Sequence, residues 1–267
     1  MSITVEVVAD ERLPGVLMRA LPLTDFDEVD FQRVYPGGDW QPVRSGVGAL
    51  TISDEAACYD LDVRPGCRVA YRATNGAGGD QLGVAVVDVP AVYPSTRRGE
   101  SGWVKPLSRP GLTTRVVFGP PGDVSRQERW STTAVGDGDH TMWRASGPRE
   151  WPVTTWWDDR RAMSRFLDAL ESGLLLVQTD PERNGVWRDD FALAKGVSVK
   201  QFHDKVAYLV SCTLVAQPAP PPGPSRLVIP GWTWPEATRG ARSLTELAQQ
   251  YPSRWQLLVA GTRARAT

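Results

Sequence analysis

Short runs of apolar residues separated by turn formers occupy the chain from Ile3 to about Leu107. Phe31-Gln-Arg-Val34-Tyr35, the turn Pro36-Gly37-Gly38-Asp39 and Trp40-Gln-Pro-Val43-Arg44 predict two strands joined by a tight turn. Gly48-Ala-Leu50-Thr-Ile52, Tyr59 to Val63, Val69 to Ala73 and Leu82 to Val87 add further short strands, with a glycine-rich exit at Asn75 to Gly79. About seven strands in such a span suit a two-sheet antiparallel sandwich, so residues 1–108 are expected to form one β-sandwich domain.

The pattern changes after the proline-punctuated stretch Gly102 to Gly111, which reads as a crossing into a second domain, residues 109–217. Strands are predicted at Thr114 to Phe118, Trp130 to Val135 and Val153 to Trp157. Asp158-Asp159 then opens a helix whose Met163, Phe166, Leu167 and Leu170 fall at i, i+3, i+4 and i+7, with Gly173 at its stop. Strands resume at Leu174 to Gln178, Phe191 to Ala194, Val197 to Phe202 and Val206 to Ala216. The last run is apolar at nearly every position, as expected of a central strand covered on both faces. The fold class expected is therefore mainly β, with one helix packed on the second domain's sheet.

A proline-rich linker, residues 218–230, precedes a tail that repeats itself. Thr233, Ser243 and Ser253 each have Glu or Gln three residues later, at Glu236, Glu246 and Gln256, the spacing of a capping box. Residues 231–267 thus read as a short helical C-terminal arm. Helices of one or two turns are unstable alone in water, because nucleation costs more than so few hydrogen bonds recover. The arm must dock on something, and Trp234, Leu247, Trp255 and Leu258 are its expected contacts, on a neighbouring subunit or another protein.

Composition narrows the function. Thirty basic residues against 31 acidic leave a net charge of -1, which offers no general attraction to nucleic acid or to an anionic membrane. No run approaches the roughly 20 apolar residues of a membrane span, and Met1-Ser-Ile-Thr-Val-Glu lacks the features of a signal peptide. Cys58, Cys67 and Cys212 are too few and scattered for a disulfide framework or a zinc site. Trp occurs 11 times, and its large apolar area with a single donor suits both cores and protein interfaces. Half of these rings are expected in cores, while Trp143, Trp151 and Trp187 are candidates for subunit interfaces.

Catalytic chemistry finds little purchase. The chain has two histidines, His140 in the polar turn Gly136-Asp137-Gly138-Asp139-His140 and His203; neither has a Ser-centred elbow or a second His at ligand spacing. Asp137 and Asp139 lack the further oxygen ligands of a calcium loop. Asp158-Asp159 is explained by the helix start, where anions are favoured, and Asp189-Asp190 by loop solvation. No catalytic residue, metal ligand or cofactor is expected.

Two resemblances remain. Val63-Arg64-Pro65-Gly66, followed by Tyr71-Arg72 and the Asn75 to Gly79 exit, resembles the fibronectin type III pattern, although Val69 stands where that family has its corner tyrosine. The layout as a whole resembles minor tail proteins of long-tailed phages infecting actinobacteria. It is carried by Tyr59-Asp60 through Tyr71-Arg72, the Trp103-Val104-Lys105-Pro106-Leu107 crossing, the helix followed by Leu174-Leu175-Leu176-Val177, and the Trp-bearing arm. The resemblance implies a structural subunit of the tail tip or baseplate, not an enzyme, located in the virion and assembled in the host cytoplasm. It would oligomerise into a ring, six-fold favoured and three-fold the alternative, that connects the tail tube to host-recognition components and touches other tail proteins. The alternative is a carbohydrate-binding accessory protein that grips host cell-wall glycan through exposed tryptophans.

Overall fold

The computed structural model describes residues 3–9, 13–76, 79–90, 100–119, 125–135, 139–179, 190–202, 207–222, 243–251 and 254–263. The architecture is mainly antiparallel β, and the chain divides into two compact units. The first comprises Met1–Tyr93, Arg109–Thr113 and Pro220–Thr267; the second comprises Pro94–Ser108 and Thr114–Ala219.

In the first unit, β1 (Thr4–Ala9), β2 (Val16–Leu21) and β6 (Ala56–Asp60) form a three-stranded sheet in the order β1-β2-β6. Opposite it lie β3 (Glu28–Val34), β4 (Gln41–Pro42), β5 (Ala49–Leu50), β7 (Arg68–Thr74) and β8 (Gln81–Asp88), with β4-β3-β7-β8 in line and β5 paired to β3. The anticipated hairpin is present, with Gln32 opposite Pro42 and Arg33 opposite Gln41. Val16, Met18 and Ala20 from one sheet meet Phe31, Val69 and Tyr71 from the other in a single buried core, as alternating side chains require of two facing sheets. Val69, in the corner-tyrosine position, is fully buried. It is Tyr71, one inward step further along β7, that supplies a buried hydroxyl, donated to Asp60 Oδ2 at 2.9 Å.

The second unit is built on β9 (Glu100–Pro106), β10 (Thr114–Phe118), β11 (Ser125–Val135), β12 (Asp139–Trp157), β13 (Leu175–Thr179), β14 (Asp190–Phe202) and β15 (Ala207–Gln217). The order is β10-β9-β13-β14-β15-β12-β11, and β10 also pairs with β12 at Phe118 and Thr155. β12 is long enough to serve two neighbours on one edge. Its first half forms a hairpin with β11, and its second half takes β10 there, with Gly119 N donating to Thr154 O at 2.6 Å. Six strands thereby close into a ring, which removes edges that an open sheet would leave.

The helix α1 (Arg160–Glu171) starts where expected, its Asp159 side chain accepting from the backbone of Arg161 and Ala162. It ends at Gly173, whose φ of +103° is costly for any residue with a Cβ. Met163, Phe166 and Leu170 enter the strand core, and Phe166 stacks on Trp157 at 4.9 Å.

Three expectations are corrected. Gly102 to Leu107 is not a crossing: Trp103 and Val104 are buried, and β9 runs between β10 and β13 in the middle of the second unit's sheet. Its proline lies at the strand's end, where no ladder donor is needed. Residues 94–108 accordingly belong with the second unit, and the arm belongs with the first. The two strands expected at 191–194 and 197–202 are one strand with a bulge between Lys195 and Ser198, where Gly196 has φ +64°. β15 is not covered on both faces. Tyr208, Val210, Cys212 and Leu214 are buried, but Leu209, Ser211, Thr213 and Val215 are half-exposed, so the apolar run conceals a two-sided strand.

Candidate interaction surfaces

The first surface is the outer face of β2. Val16, Met18 and Ala20 point into the core, so Leu17 and Arg19 must point away from it. Across the ladder Leu17 stands opposite Tyr59 and Arg19 opposite Ala57. On an open face these would be wet; instead Leu17 is fully buried, Tyr59 is 3% exposed and Ala57 8%. None of the three belongs to the sandwich core. The arm reaches this face: its helices are α2 (Leu244–Gln250) and α3 (Arg254–Arg263), and α3 lies against β2. Ser243 caps α2 as the capping-box spacing predicts, accepting from Glu246 N at 3.1 Å.

Arg19 is the polar centre of this contact. Its Nη2 and Nε donate to Glu6 Oε2 at 2.9 and 3.1 Å, and its Nη1 to Glu55 Oε2 at 3.2 Å. Two carboxylates thus hold the guanidinium in place, and Trp255 lies over it at 4.6 Å. A guanidinium on an indole face is attracted by the ring quadrupole by ~0.5–2 kcal/mol, more when desolvated. Leu247, Trp255 and Leu258 are all buried within the chain. Three of the four arm residues expected to contact a neighbour therefore lie covered in the unit that carries them. Trp234 falls outside the described residues.

A charged network fixes where the arm's tether leaves the sandwich. Asp60, 1% exposed, accepts from Arg33 Nη1, Tyr71 Oη and the backbone of Asp62. Arg44 donates to Asp62 Oδ2 at 2.7 Å and also to the carbonyl of Pro220. Burial and then the Asp60 charge push the Tyr71 hydroxyl and the Cys58 thiol well above their ordinary values. Burial works against the Arg33 charge, but Asp60, Tyr35 and Asp62 outweigh it and raise its pKa. These shifts hold Tyr71, Cys58 and Arg33 in their protonated forms near neutrality.

The second surface is the far half of the β14–β15 hairpin. β13 pairs with β14 only from Asp190 to Ala192, so from Leu193 onward no strand pairs with that edge among the described residues. Leu193, Val197 and Val199 are exposed there. On β12, Trp156 is 54% exposed and stacks on Phe202 at 5.4 Å, with Lys200 Nζ over the same ring.

Compared with known proteins, the chain matches no family model and no curated protein. Its surfaces must therefore be read on their own chemistry.

Trp151, expected at a subunit interface, is instead part of the second unit's core at 4% exposure. It faces inward because β12 alternates and Val153 and Thr155 share its side. Trp143 lies on the β11–β12 hairpin where only the backbone is described, and Trp187 and His203 fall outside the described residues. Among the described residues, the exposed aromatic is Trp156, which the sequence pattern did not separate from its neighbour Trp157. Leu17, Arg19 and Tyr59 were also missed. The signal was present in Val16-Leu17-Met18, three apolar residues in a row, which a strand covered on both faces requires. Among the described residues, no group of three or more His, Cys, Asp or Glu side chains is placed to hold a metal ion, and no helix is long and apolar enough to cross a membrane.

Proposed function

We propose that this protein is a structural subunit of a phage tail tip or baseplate, which assembles into a ring with copies of itself and joins the tail tube to host-recognition components. The observation that carries the reading is the free half of β14. An exposed strand edge with apolar side chains is a template for pairing with another chain; the bulge between Lys195 and Ser198 blunts its start, but from Ser198 to Phe202 β14 runs on in continuous register with β15. Here Val197 and Val199 stand on that edge and Trp156 with Phe202 flanks it. Among the described residues of this half, Lys195 and Lys200 carry the charge, and Lys195 is engaged by Glu150 at 2.7 Å. A second copy laid along β14 would satisfy the backbone donors and acceptors and bury the apolar flank. Where the second copy meets β14 with a different segment of its own, the contact is heterologous and its repetition gives a ring when the rotation closes, whereas β14 laid on β14 would stop at a dimer. Six-fold closure is the favoured order and three-fold the alternative.

Sedimentation and native mass spectrometry across a concentration series test the reading, together with a Val197→Lys, Val199→Lys double variant. Closed oligomers that the double variant cannot form are expected. A protein that stays monomeric at every concentration and is missing from purified particles, yet binds cell-wall glycan on an array, would replace this reading with the carbohydrate-binding one.

A further inference from the structure

We propose that the outer face of β2, around Leu17, Arg19 and Tyr59, is a receptor for the arm of a second copy, so that assembled subunits exchange α2 and α3. The inference rests on the self-assembly proposed above and adds to it the surface and the segment that lock neighbours together.

The receptor is built before the arm arrives. Glu6 and Glu55 orient the Arg19 guanidinium from within the sandwich itself, and Leu17 and Tyr59 are positioned by ladder pairing that the arm does not contribute to. The arm has no such independence. Helices of this length gain too few hydrogen bonds to offset nucleation, so α2 and α3 need a sandwich face, but any copy's face offers the same chemistry. What separates the arm from its own face is the stretch from Pro220, held by Arg44, to Ser243. Roughly twenty residues at ~3.3 Å each allow a reach on the order of 60 Å, well beyond the radius of about 13 Å expected of a unit near 100 residues.

Exchange of an identical element between copies costs little free energy, because a docked arm meets the same side chains whichever copy supplies the face. For a dilute monomer the tether favours its own face. In a ring whose neighbouring face lies within that reach, the tether supplies it at a comparable effective concentration, and exchanged arms convert a weak edge-to-edge contact into one that cannot separate without unseating Trp255.

The test uses the full chain with Trp255 replaced by a photoreactive benzophenone residue, in natural-abundance and 15N-labelled forms. The two are mixed as monomers at low concentration, concentrated to the oligomer and irradiated, and crosslinked peptides joining α3 to β2 or β6 are sorted by isotope. Exchange predicts that about half of these crosslinks join a labelled to an unlabelled peptide, as random neighbours require. Same-isotope crosslinks alone, in a sample that sediments as an oligomer, would overturn exchange and leave the ring standing. If no oligomer forms at all, the proposed function falls and exchange falls with it. Because a bulky residue at 255 can weaken docking, a second arm of the experiment mixes full-length Arg19→Glu with full-length Trp255→Ala, each carrying a different tag. The intact arm of the first and the intact face of the second should give a mixed complex at least several-fold above either protein with itself. Equal recovery in all three pairings would also overturn the proposal.

Discussion

Arg33 and Asp60 face each other across the first unit, the guanidinium Nη1 lying 2.6 and 2.7 Å from the two carboxylate oxygens. One residue comes from each sheet of the sandwich, so the pair ties the two layers together. Removing one partner of a buried pair leaves a charge without compensation, which costs ~3–5 kcal/mol. Asp60→Ala should therefore lower stability by about that much in urea titrations. Tyr71→Phe, which removes only a hydroxyl donor, should cost nearer ~1–3 kcal/mol. An Asp60→Ala protein as stable as the parent would show that the pair contributes nothing net.

Truncation after Gln217 should destabilise the first unit. The sequence alone places the arm on a neighbouring subunit or another protein, in which case its removal would leave melting unchanged. With the arm removed, α3 no longer lies against the outer face of β2 where Leu17 is buried, and each large apolar side chain returned to water forfeits ~1.5–3 kcal/mol, partly offset by the ordering of the arm that is no longer needed. A fall in melting temperature on the order of 10 °C for that unit is expected. Calorimetry on the truncated and full chains measures it, and identical transitions would place the arm outside the fold.

Alkaline solution should weaken the fold before acid does anything comparable through the same groups. Burial pushes the Cys212 thiol from its ordinary 9.0 up to about 12, and burial followed by the Asp60 charge raises Cys58 as well. A raised folded-state value means that the contribution is full below about pH 9 and is lost as pH climbs toward 12. Each such thiol tilts stability by up to ~1.4 kcal/mol per pH unit in that window. Melting temperatures recorded from pH 7 upward should be flat and then fall, and Cys212→Ala should shallow the fall. In the native protein a thiol reagent at neutral pH should leave Cys58 and Cys212 unmodified.

Gly102→Ala should disturb the second unit selectively. A Cβ there would lie 2.5 Å from the Gln178 carbonyl and 2.8 Å from the Phe118 ring, clashes that must be relieved by moving β9 against β13 or β10. Overpacking of this kind costs ~1–3 kcal/mol. Two-domain unfolding followed by tryptophan fluorescence should show the transition of one unit shift while the other stays in place.

The local chemistry was legible in the sequence. Asp159, the apolar stripe Met163–Phe166–Leu170 and Gly173 specify α1 by themselves, since caps and periodicity act within a few residues. Thr114–Phe118 and Leu175–Thr179 emerge at nearly the expected bounds, because a β-prone run between turn formers has few alternatives. The capping box at Ser243 likewise forms as its spacing dictates.

Partner choice was not legible, because it depends on residues distant in sequence. Whether Gly102 to Pro106 crosses between domains or forms a strand is decided by β10 and β13 on either side of it. Whether the apolar positions of β15 are covered on one face or two depends on where α1 lies, and Trp151 and Trp156 differ only in which face of β12 they occupy. The capping box at Ser243 and the shortness of the segment already dictate a helix start there that cannot stand alone. That Trp255 meets Arg19 emerges only in the folded chain, since a short helical segment encodes its need for an apolar face but not which face within reach will satisfy it.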